Sequence, residues 1–169
     1  MLRTTLFASI VCGLFAIANQ PMSAATPSLA GSWYFTLTPT KPAATPMPLE
    51  FPGLATFTAD GSVIEADGSQ FAQRSPWSAD FGKASTPGHG IWQLANTPVT
   101  LYVKYMSLVL DSDGALYATN VTTMFLRVNA STGSTFSGTY TTEQVMGTVS
   151  KIVSSGAVSG QLIPHALLP

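Results

Sequence analysis

Apolar and polar residues alternate in short runs along this chain, and Gly, Pro or Asp-Gly pairs interrupt the runs. In Gly31–Thr38, Trp33, Phe35 and Leu37 alternate with Tyr34, Thr36 and Thr38, the two-residue period of a strand with one buried face. Leu54–Ala59 and Ser62–Ala66 flank Asp60-Gly61. Such a pair between two strands predicts a type I′ hairpin, whose two central residues both need positive φ. Further strands are expected at Gly90–Leu94, Val99–Leu110, Leu116–Val128, Thr135–Thr142 and Thr148–Ser154, with Ala157–Ile163 continuing the last one past Gly156. Asp113-Gly114 and Asn129–Gly133 turn the chain between them. After residue 25 no stretch carries a convincing 3.6-residue period.

Two longer segments break this rhythm. Thr40–Pro52 holds Pro42, Pro46, Pro48 and Pro52, which forbid helix and central strand, so it reads as an extended loop. Asp67–Gly90 is irregular and carries Phe71, Trp77 and Phe81, which either cap a core or line the mouth of a cavity.

Short strands joined mainly by tight turns predict an all-β fold. Sequential hairpins favour a meander that closes on itself, so the expected architecture is a single antiparallel up-and-down β-barrel of about eight strands. Gly138, Gly147 and Gly156 stand where bulges or corners would help closure. Tyr102–Leu110 is apolar or aromatic on both faces, as suits a barrel strand with an interior on one side and a covering loop or partner chain on the other.

The N-terminus changes where the fold begins. Arg3 precedes an apolar run from Leu6 to Ala18, shorter than the roughly 20 residues of a membrane span, and Ser23-Ala24-Ala25 fits a cleavage site. Residues 1–25 therefore read as a secretory signal and 26–169 as one barrel domain, exported to the periplasm or the extracellular space. Cys12 is the only cysteine and leaves with the signal, so no disulfide is expected. The whole chain has a formal charge of −1 and only 9% charged residues, against about 25% in an ordinary soluble domain. Losing Arg3 takes the charge to −2, and no basic stripe points to nucleic acid. No second apolar run is long enough to span a membrane.

Gly31-Ser-Trp33 resembles the G-x-W that opens the first strand of the lipocalin-like (calycin) group, whose tryptophan plugs one end of the barrel. More of the chain is similar to small exported bacterial barrels with a recurring motif order, carried here by Phe57–Gly61, Gly88-His-Gly-Ile-Trp92, Asp111–Gly114 and Phe136–Gly138. The resemblance covers roughly residues 31–153. It implies a barrel that serves transport, binding or, in a few cases, cyclisation or isomerisation. The group's threonine-aspartate motif is not evident. Its arginine that stacks on the tryptophan has no clear counterpart beyond Lys151.

Chemistry is sparse. His89 between two glycines could point into a pocket or cap a turn. Metal binding has little to work with: two histidines, His89 and His165, and distant carboxylates such as Asp80. Asp111-Ser-Asp-Gly114 begins like a calcium loop but places its glycine too early, and a hairpin turn accounts for it. Glu65 and Asp67 share one face of a strand, read as solvated. The aromatic set is the most suggestive feature. A small apolar or amphipathic ligand in the interior is expected to meet Trp33, Phe57, His89, Trp92, Tyr102, Tyr105, Tyr117 and Phe125, with Tyr102, Tyr105 and His89 orienting it. No catalytic residue, cofactor or metal is assigned. The alternatives are a barrel cyclase or isomerase using His89 or a tyrosine, and a pocketless interaction protein whose Tyr102–Leu110 strand packs on a partner or forms a homodimer.

Overall fold

A computed structural model describes residues 27–41, 50–68, 83–95 and 100–164. The expectations for residues 1–25, Asp80, His165 and the aromatics of the 67–90 segment lie outside these residues.

Among the described residues nine strands form one antiparallel sheet: β1 (Gly31–Lys41), β2 (Phe51–Phe57), β3 (Ser62–Asp67), β4 (Ala84–Ser85), β5 (Gly88–Leu94), β6 (Leu101–Leu110), β7 (Leu116–Val128), β8 (Thr135–Met146) and β9 (Val149–Leu162). Consecutive strands pair, and β9 returns to pair with β1, so eight strands close an up-and-down barrel. The short β4 is the extra strand, pairing with the end of β6 beyond β5. Closure leaves the ring without a free edge, which would otherwise be open to pairing with another chain. The expected fold class is the observed one, and it is compatible with a lipocalin-like fold. Val149–Leu162 is one continuous strand through Gly156.

One turn differs from expectation, with consequences for the interior. The Asp60-Gly61 hairpin is not type I′, since Gly61 has φ +93° but Asp60 does not have positive φ. Thr58 N–H donates to Ser62 O (2.9 Å) and Gly61 N–H to Thr58 O (3.1 Å), leaving a three-residue loop with glycine in the bulge position. Phe57 therefore pairs with Val63, whereas a two-residue turn would have paired it with Ile64. A slip of one residue exchanges the two faces of a strand. Here it turns Val63, Glu65 and Asp67 inward and Ile64 outward. The Asp111–Gly114 turn is a hairpin as expected. The Asp111 carboxylate accepts from the N–H groups of Asp113 and Ala115, and Gly114 takes φ +79°.

The barrel interior has two unlike ends. The start of β1 and ends of β2, β5, β7 and β9 surround an apolar core that includes Trp33, Phe57, Val103, Leu126, Phe136 and Val158. Trp33 plugs this end. Its ring lies 5.1 Å from that of Phe136, and its Nε1–H donates to the Leu29 carbonyl at 2.7 Å. Leu29, in the lead-in before β1, is fully buried. Phe136 is the aromatic ring that packs on Trp33. Lys151 is exposed and pairs with Gln144 toward the other end, so it is not the stand-in.

Close backbone approach between strands requires glycine at several seams. A Cβ on Gly90 would overlap the Lys104 carbonyl and the Tyr105 backbone across β5 and β6. Gly90→Ala is expected to destabilise the barrel by about 1–3 kcal/mol in chemical denaturation. Gly133→Ala probes a different cost, because its Cβ meets nothing within 4 Å and only the positive φ of +62° is strained.

Candidate functional site

The second end of the interior is polar, and β3 supplies its centre. Glu65 and Asp67 follow Val63 on the inward face and are 3% and 7% exposed. This corrects the reading of these carboxylates as a solvated strand face. Burial requires compensation for two acidic groups in a low-dielectric space. Gly88, opposite Glu65 on β5, supplies part of it by turning its backbone N–H toward the Glu65 carboxyl. A Cβ at Gly88 would collide with that carboxyl and with the Tyr105 ring, so only glycine leaves room.

The Phe35 ring lies over Gly53 beside Asp67, and tyrosines and hydroxyls line the wall beyond the pair. Tyr105 on β6 and Tyr140 on β8 are 4% and 3% exposed. The Tyr140 hydroxyl is 2.8 Å from Ser154 Oγ on β9, and Thr122 on β7 is 2.9 Å from Thr142 on β8. The Gln144 amide reaches Asn120 at 3.4 Å. Neutral hydrogen-bonding groups thus run round the wall from β6 to β9.

Protonation follows from this setting. Burial, then the neighbouring Asp67 charge and a hydrogen bond with Asp67, push the Glu65 carboxyl up from 4.5 to about 9, with the Gly88 N–H acting the other way. Glu65 therefore keeps its proton at neutral pH. Burial, followed by the Glu65 and Asp67 charges, also raises the Tyr105 phenol well above its ordinary value, and the Thr122 hydroxyl opposes this. Tyr140 is raised mainly by burial. Glu65 Oε2 meets no protein hydrogen-bond donor, although the residue is nearly inaccessible to solvent. Buried polar atoms are rarely left so, and each exception calls for a physical explanation such as a bound water or ion, strain or a catalytic role. Among the described residues no group of three His, Cys, Asp or Glu side chains could hold a metal ion.

The eight residues expected to line the interior separate into two sets. Trp33, Phe57 and Tyr105 are buried and point inward. Trp92 is half-buried at the apolar end, edge-on to Phe57 at 6.5 Å, with its Nε1–H donating to the Thr58 carbonyl at 2.8 Å. The other four lie on the outer face, so the expectation that they line the interior is corrected. His89 is exposed because its neighbours Gly88 and Gly90 take the inward positions, and it stands between Ile64 and Met106 on the adjacent strands. Tyr102 alternates with the buried Leu101 and Val103, and its ring packs outside against Phe125 at 5.5 Å. Phe125 is 50% exposed. Tyr117 is also exposed, with Lys83 Nζ 3.3 Å from its ring centroid. The interior positions thus join Trp33, Phe57, Trp92 and Tyr105, but do not bring His89 or Tyr102 to them.

Comparison with family models, with curated proteins and with solved structures gave no match.

The residues that sequence reasoning passed over are Glu65, Asp67, Thr122 and Gln144 as interior groups. Tyr140 was visible only as one aromatic among many. The signal for the carboxylates was the alternation Val63, Glu65, Asp67 against Ile64, Ala66. Each set contains a large apolar residue, so the alternation alone does not choose a face. The hairpin register does.

Proposed function

We propose that this protein is an exported, lipocalin-like barrel that binds a small amphipathic molecule in its interior. The ligand's apolar part would lie toward Trp33, Phe57 and Trp92, and its polar group at Glu65, Asp67, Tyr105 and Tyr140. The observation that carries this reading is the donor-less Glu65 Oε2 inside a ring of buried polar groups, in a barrel whose opposite end is apolar. A core that served packing alone gains nothing from two buried acids, because apolar residues of similar volume are commonly as stable or more so. Affinity would come from burying apolar ligand surface, at about 25 cal/mol per Å² before the costs of association.

Native mass spectrometry of the full-length gene product purified from its own source tests this. A reproducible extra mass of a few hundred daltons, present in the folded protein and released on unfolding, is the expected result. A bare protein mass, both as isolated and after incubation with an organic extract of the source cells, would overturn the proposal.

A second reading is favoured by one further observation. A protonated carboxyl beside a second carboxyl provides an acid and a base side by side, the arrangement used for proton transfer within a bound substrate. An isomerase or cyclase built this way would use Glu65 and Asp67 in place of His89, which faces outward. Incorporation of solvent deuterium into the released ligand, abolished in Glu65→Gln, would separate enzyme from carrier. Unlabelled ligand would leave the binding reading alone.

A further inference from the structure

We propose that the polar end of the barrel receives a protonated amine, so that the ligand is an amphipathic amine and not a fatty acid or alcohol. The inference rests on the interior-binding reading above and names the chemistry of the ligand's polar group.

The side chains at this end are one-sided. The titratable groups around the pair are Tyr105 on β6, close enough to feel both carboxyls, and Tyr140 on β8, close enough to feel Asp67. All are acids. Among the described residues no basic side chain is buried with them: Lys41, His89, Lys104, Arg127 and Lys151 are exposed, and Lys83 lies over the outward Tyr117 ring. A ligand carboxylate would add a negative charge beside Asp67 in a space that already disfavours ionised groups. An alcohol supplies one donor and no charge. An ammonium supplies three donors and a positive charge, and once the Glu65 proton has left, Oε2, which meets no protein donor, can accept one of them.

Charge balance sets a measurable consequence. In the empty barrel a proton on Glu65 offsets the second acid. When an alkylammonium enters, that proton leaves to solvent and the ligand's charge takes its place. One proton is released for each amine bound, and no bond to carbon forms or breaks. Affinity therefore rises with pH across the range in which Glu65 is protonated, by up to about tenfold per pH unit.

The test is calorimetric titration of the full-length protein with octylamine, 1-octanol and octanoate at matched concentrations, near pH 7 and near pH 8.5. In two buffers of different ionisation heat, octylamine is expected to bind at least about tenfold more tightly than octanol and to release close to one proton. Octanoate is expected to bind weakest. Asp67→Asn should reduce the preference for the amine while octanol still binds. Octanol or octanoate binding as tightly as octylamine would overturn the amine assignment and leave the interior site standing. Failure of all three to bind would overturn the interior site as well. The comparison of ligands uses the unmodified protein, so it does not depend on any variant folding.

Discussion

Between about pH 5 and pH 8 the barrel is expected to lose up to about 4 kcal/mol of stability, and Glu65→Gln is expected to abolish most of that loss. The cause is the buried Glu65 carboxyl, raised from 4.5 to about 9 in the folded protein. Between those values the folded barrel holds a proton that the unfolded chain has released. Each step up in pH therefore favours unfolding, by at most about 1.4 kcal/mol per unit. The contribution is complete below about 4.5 and gone above about 9. Urea denaturation of the wild type and of Glu65→Gln at a series of pH values reads the effect directly. Parallel curves for the two proteins would show that Glu65 is ionised in the fold, and would remove the acid pair from the account.

Trp33→Ala carries the second large effect, a loss of about 3–5 kcal/mol. Trp33 is 1% exposed, packs on Phe136 and gives its indole N–H to the Leu29 carbonyl. Truncation would empty the plug of the barrel and leave the buried Leu29 carbonyl without that donor. A single domain is stable by only about 5–15 kcal/mol, so much of the fold's margin would go. Phe125→Ala provides the contrast. Phe125 is half-exposed and packs on the outer Tyr102 ring, so its removal should cost about 1 kcal/mol or less. Equal losses at the two positions would contradict the division of the aromatics into an inner plug and an outer face.

The sequence made the strands legible because each carries a two-residue alternation and ends at a glycine or an Asn/Asp turn. Closure was legible in the unbroken succession of hairpins. The plugging tryptophan was legible as part of a short motif. The acid pair was not, and the reason is one turn. Asp60-Gly61 has the composition of a two-residue hairpin, which would place Ile64 beside Phe57 and send Glu65 and Asp67 to solvent. The chain instead closes the hairpin over three residues, and Val63 takes the inward position. Both registers bury one large aliphatic residue, so hydrophobic patterning does not separate them. His89 misled for a related reason. Its flanking glycines do mark a crowded interior, but it is the glycines that face it, with Glu65 and Tyr105 filling the space a Cβ would need. Tyr102 and Phe125 form an aromatic pair on the outer wall, a contact that alternation alone does not distinguish from an inner one.

The proton on Glu65 is the central claim about the buried acid pair, because the pH dependence of stability and the proton released on binding an amine both depend on it. Carboxyl carbon NMR of protein labelled at glutamate, with the Glu65 signal assigned by its loss in Glu65→Gln, measures that proton directly. The account predicts a Glu65 carboxyl that stays protonated through neutral pH and titrates near 9. A Glu65 signal that titrates near the ordinary glutamate value of 4.5 would place the carboxylate in solvent and contradict the account.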